Sequence, residues 1–163
     1  MSEIISTVSA SASRRVIGIA MMLGLGGLMI FLALGPEVQA IAIQVPLLAF
    51  GLAVLFLAEK MRRATALRLE LTGTQLRDSS GRVLASVDQI EAIDRGMFAM
   101  KPSNGFMLKL NAAPGAAWMP GLYWRLGRRV GVGGVTSPGQ TKFMSEMLTA
   151  MLAERRENDS PPG

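Results

Sequence analysis

VIGIAMMLGLGGLMIFLAL (Val16–Leu34) and AIAIQVPLLAFGLAVLFLA (Ala40–Ala58) are two uncharged runs of 19 residues, separated only by Gly35-Pro36-Glu37-Val38-Gln39. At about 1.5 Å per residue each run makes roughly 28 Å of helix, the thickness of a hydrocarbon core. One such run fits a buried soluble helix; two in tandem, joined by five residues, predict a membrane hairpin. Inside lipid the backbone must satisfy its own hydrogen bonds, so both runs are expected to be helical. A cleavable leader is the rival reading, from Arg14-Arg15 and the small residues around Val38-Gln39-Ala40. The first run is too long for that, and cleavage would leave a chain starting inside a second apolar run.

The flanks orient the hairpin. Arg14 and Arg15 precede the first run; Lys60, Arg62 and Arg63 follow the second; the turn has neither Lys nor Arg. The positive-inside rule then puts both chain ends in the cytoplasm of a two-pass inner-membrane protein. Ala20 and Gly24 in the first run, and Ala49 and Ala53 in the second, have the four-residue spacing of close helix packing, with Gly27 and Gly51 near those faces. Gln44 is positioned to hydrogen-bond across the hairpin, and Pro46 to bend the second helix or mark its first turn.

Hydropathy is unevenly distributed. Half of all residues are hydrophobic, yet Glu37 is the one charge between 16 and 58, while residues 59–163 carry a net charge of +5. The chain has no Cys and no His. That excludes disulfides, thiol nucleophiles, imidazole bases and zinc sites built on those ligands, and argues against an enzyme. No cofactor is expected. Asp88, Glu91 and Asp94 would share a face if helical, but a solvated face explains them better than a metal.

Residues 1–15 are small and polar and are expected to form a flexible cytoplasmic tail. After Arg63 the period becomes two, and a domain is expected over 64–157. Leu67, Leu69 and Leu71 alternate with Arg68 and Glu70, as in a half-buried strand. Gln75–Arg77 and Arg82–Leu84 flank Asp78-Ser79-Ser80-Gly81, a hairpin loop. Val87–Ile93 reads as a short helical turn or irregular strand. Met97–Lys101 and Phe106–Leu110 are expected to pair around Pro102-Ser103-Asn104-Gly105, where Asn-Gly supplies positive φ. Trp118–Val132 is expected to give one or two strands. A helix then starts at Ser137 as N-cap, with Pro138 in its first turn and Gln140 at capping-box spacing, and an apolar stripe of Phe143, Met144, Met147, Leu148, Met151 and Leu152. Fraying is expected from Glu154, and disorder over 158–163.

Six to seven strands and one closing amphipathic helix in about a hundred residues make an α+β domain, a partly open antiparallel barrel or sandwich. With the hairpin before it, this layout resembles the small bacterial membrane-anchored PH-like (pleckstrin-homology-like) proteins. The resemblance covers Thr65 to about Arg155 and the hairpin. It rests on the order of elements, with the hairpin Gln75–Leu84, then Val87–Ile93, then the final helix. It implies a seven-stranded barrel capped by a helix and a binding or assembly module, such as an accessory or assembly factor of a membrane complex. It supplies no catalytic residues, and the basic first loop of phosphoinositide binders is missing around Gly73.

Three candidate surfaces follow. Trp118, Tyr123 and Trp124 with Arg125, Arg128 and Arg129 combine rings and cations as a membrane interface or a protein-partner surface does. Nucleic acid is disfavoured as a partner, because the juxtamembrane cations account for part of the basicity. Ser137, Gln140 and Lys142, at the helix start, are candidates for a weak anion site. Residues Gly134–Thr141 also have P-loop spacing, but with Gln140 where Lys is required. A small anion- or nucleotide-responsive membrane sensor is therefore the alternative to the binding module.

Overall fold

The computed structural model describes residues 3–38, 40–96 and 102–159. Among them, two helices, α1 (Ala12–Leu34) and α2 (Ile41–Ala64), are long and apolar enough to cross a membrane. Both exceed the apolar runs. α1 starts four residues early and takes in Arg14 and Arg15; α2 continues through Glu59, Lys60, Arg62 and Arg63. In the polar end of α2, Glu59 bridges Arg62 and Arg63, each at 2.6 Å, from the adjacent turn, which supports the helical extension there.

α1 and α2 lie against each other, but not through the expected residues. Ala20, Gly24, Ala49 and Ala53 all point outward, and a Cβ added at Gly24 would meet nothing within 4 Å. The seam is Gly26 and Ala33 on α1 against Gly51 and Ala58 on α2. A Cβ at Gly26 would come within 2.7 Å of Leu55 and 3.0 Å of the Gly51 carbonyl; one at Gly51 would come within 2.8 Å of Ile30. Gln44 does reach across, donating to the Ala33 carbonyl at 3.0 Å. A four-residue spacing marks several faces of a Gly- and Ala-rich helix, and it cannot say which face meets its partner.

The N-terminal tail is a strand. β1 (Ile4–Ser9) pairs antiparallel with β2 (Arg68–Thr72), with Val8 opposite Leu69. The flexible tail expected over 1–15 is thus corrected. Val8 is fully buried, and pairing it into the sheet buries apolar surface that a polar-looking segment of Ser and Thr does not advertise. The hairpin is consequently an insertion between two neighbouring strands, and its two ends emerge side by side.

β3 (Gln75–Asp78) and β4 (Val83–Ser86) complete a four-stranded sheet in the order β1-β2-β3-β4. A single 3-10 turn, Val87–Gln89, leads to the second sheet. It comprises β5 (Ile90–Asp94), β6 (Phe106–Leu110), β7 (Ala117–Met119), β8 (Tyr123–Leu126) and β9 (Arg129–Val132), in the order β5-β6-β9-β8-β7. The last helix is α3 (Pro138–Asn158). Both sheets are antiparallel. With nine strands among the described residues, the count exceeds the six to seven expected: Trp118–Val132 folds into three strands, and β1 comes from before the hairpin. β6 lies between β5 and β9; the strand expected over Met97–Lys101 falls outside the described residues, as do 160–163 of the expected disordered end.

The alternating leucines meet in one core. Leu69, Leu71, Leu76 and Leu84 from the first sheet share one buried cluster with Phe106, Leu108, Leu110, Val130 and Val132 from the second and with Met144 and Leu148 of α3. Each fully buried side chain of this size stabilises by roughly 1.5–3 kcal/mol. Phe143 is the exception on the α3 stripe, being about half exposed. α3 also runs to Asn158, past the fraying expected at Glu154, because Arg155 and Arg156 donate to the Val87, Asp88 and Glu91 carbonyls.

Candidate interaction surface

The aromatic-basic stretch divides into two sets with different jobs. Tyr123 is core, only 2% exposed, and its hydroxyl donates to Asp78 Oδ2 at 3.0 Å. Asp78 is itself buried and also accepts from the Ser80 and Arg82 backbone amides and the Ser80 hydroxyl. Burial, and then the neighbouring carboxylate, push the Tyr123 hydroxyl up to about 12. Arg125 is a clasp between sheets. Its guanidinium donates to the Val83 and Leu84 carbonyls of β4 at 2.8 and 3.2 Å, and to the Gly115 carbonyl at 2.9 Å. Arg128 donates to the Leu110 carbonyl at 3.0 Å and pairs with Glu91 at 3.2 Å; Glu91 also holds Lys109. These three residues are committed to the domain's own architecture.

Trp118, Trp124 and Arg129 are presented outward. Trp118 stands opposite Trp124 across β7 and β8; Trp124 stands opposite Gly131, and Leu126 opposite Arg129, across β8 and β9. Residues directly opposite share a sheet face, so these side chains form one surface. Gly131 is what lets the Trp124 ring lie down on it: a Cβ there would sit 2.4 Å from the indole. Trp118 is 51% and Leu126 68% exposed. A shallow hollow of about 430 Å³ runs between the two indoles, Leu126 and Ala116. The Arg129 guanidinium has no ion pair among the described residues.

This shelf adjoins the hairpin. Lys60 Nζ, near the end of α2, lies 4.4 Å from the centroid of the Trp118 ring, a cation–π distance. Beside it, the β7–β8 turn rests on the helix: Gly121, with φ of 80°, brings its backbone so close that a Cβ would lie 3.1 Å from Thr65 and 3.3 Å from Met61. The sequence contains Lys60 and Trp118 but gives no sign that they meet, since the 57 intervening residues decide it.

The anion site is not assembled. Gln140 Oε1 accepts from the Ser9 amide at 2.9 Å and the Ser9 hydroxyl at 3.1 Å, so Gln140 pins β1 instead of closing a capping box. Ser137 makes no side-chain cap; its amide donates to the Ser9 carbonyl. Lys142 is exposed nearby, and no contact among the described residues draws it toward the helix start. The Gln140 side chain and the Ser137 amide are thereby engaged by the chain's own N-terminal strand, while Pro138 and Gly139 of the first turn stay exposed. No protein-family model, curated protein or solved structure matches this chain.

Proposed function

We propose that this chain is a two-pass inner-membrane protein with both ends cytoplasmic, whose PH-like domain is a non-enzymatic binding or assembly module for a membrane complex. The observation that carries the reading is the stitching of the domain to both ends of the hairpin. β1 enters the sheet before α1, and β2 leaves α2 to pair with it. Ser11 donates to the Val135 carbonyl at 2.7 Å, and Arg15 to the Arg62 carbonyl at 3.4 Å, so the junction is held at several points. A flexible tether suffices to keep an enzyme near a membrane; a junction pinned at several points suits a part that presents a surface at fixed height and orientation. Two antiparallel sheets closed by α3 support the PH-like reading, though nine strands depart from a seven-stranded barrel. Arg14, Arg15, Lys60, Arg62 and Arg63 support the cytoplasmic side.

Cross-linking in native membranes followed by purification of the full chain tests the module. A membrane protein recovered in stoichiometric amount is expected; recovery of the chain alone at every cross-linker length overturns the assembly reading.

A further inference from the structure

We propose that the Trp118–Trp124–Leu126 face is a contact surface for anionic lipid headgroups of the same leaflet that the ends of the hairpin enter. The inference rests on the two-pass reading above and adds to it what covers the shelf.

The apolar run of α2 ends at Ala58, and Lys60 follows about 3 Å further along the helix axis. That is where a lysine leaving a membrane helix meets phosphate, and Trp118 lies 4.4 Å from its ammonium group. The domain has no stalk that could lift it away. Gly18, inside the apolar run of α1, faces Met61 and Val135: a Cβ there would be 3.0 Å from one and 4.0 Å from the other. The β7–β8 turn is therefore level with the first turns of the hairpin, and the shelf begins at that turn.

Indoles with a polar N–H and a broad apolar ring are favoured at headgroup depth, where one edge meets water and the other carbon. Here two lie side by side with an exposed leucine, around a hollow open to the outside. The charge beside them is positive: Lys60 on the helix, and Arg129 opposite Leu126 on the same sheet face. Anionic phosphates complement that pattern.

The chain holds only two tryptophans, so its own fluorescence reads this surface. A Trp124→Phe variant keeps a ring over Gly131 and isolates Trp118. The full-length protein is reconstituted in vesicles of phosphatidylcholine alone, or mixed with phosphatidylglycerol, with quenchers on the lipid near the glycerol or near the chain ends. Shallow labels are expected to quench Trp118 about twofold more than deep ones, more so with phosphatidylglycerol, while iodide quenches less than in detergent. A chain that floats with the vesicles while Trp118 stays open to iodide and blind to both lipid labels overturns the shelf alone; so does shielding from iodide without lipid quenching, which would mean a protein covers it. Equal quenching in both lipid mixtures overturns the anionic preference. Failure to float with vesicles overturns the two-pass reading and this proposal together.

Discussion

Arg125 shows how much one side chain can do when its donors are fixed in a plane. Its guanidinium holds two carbonyls at the edge of the first sheet and one in the loop before β7, three acceptors that a lysine could not reach together. Arg125→Ala is expected to destabilise by about 1–3 kcal/mol, read as a lowered melting temperature in detergent, and Arg125→Lys to recover little of it. Tyr123 makes a different demand. Its hydroxyl is held up to about 12 by burial and by Asp78, whereas an unfolded tyrosine releases its proton near 10. Between those values the folded chain binds more protons than the unfolded one. The tyrosine's contribution is complete below pH 10 and falls as pH rises toward 12. Tyr123→Phe is expected to flatten that part of the decline in melting temperature with pH, relative to the unmodified protein measured alongside.

At the scale of elements, the hairpin and the first strand carry the sharpest tests. The seam through Gly26 and Gly51 leaves no room for a side chain, and the face bearing Ala20 and Gly24 is open. Gly26→Leu is expected to destabilise the hairpin by about 1–3 kcal/mol through overpacking, while Gly24→Leu leaves it unchanged; steric-trap or denaturant unfolding in micelles separates them. The reverse order would mean that the Ala20–Gly24 face, not the Gly26–Gly51 seam, is where the helices pack. β1 owes its place to Val8 in the core and to Gln140 accepting from Ser9. Gln140→Ala is expected to speed amide exchange across Ile4–Ser9 by roughly tenfold with little change elsewhere, the response of a strand whose last clamp is loosened.

For the whole molecule, the insertion of the hairpin between β1 and β2 fixes a topology. Strands that exchange hydrogen bonds must lie on the same side of any membrane the hairpin crosses, so the two helices cross together or not at all. It also fixes an order of assembly, because β1 is made first but has no partner until β2 follows α2. The close approaches of Gly18 and Gly121 to Met61 and Val135 tie the hairpin to the β7–β8 turn, and through it to the tryptophan shelf.

The two apolar helices, the period-two strands β2, β3 and β6, the capping helix α3 and the positive φ at Asn104 (55°) are all legible in the sequence, because each is set by neighbours within a few residues. Periodicity decides a helix or strand locally, and a turn needs only its own backbone. Tertiary structure alone decided the rest. Ser and Thr around Val8 look like a solvated tail until a core exists for Val8 to fill. Tyr123, Arg125 and Arg128 look like a basic-aromatic patch until Asp78, β4 and Glu91 arrive to absorb them. Trp118 becomes part of a surface beside the hairpin only because folding brings it against Lys60. Chain-local energetics thus chose the elements, whereas burial and hydrogen bonding between distant residues chose which side chains those elements consume and which they leave to meet something else.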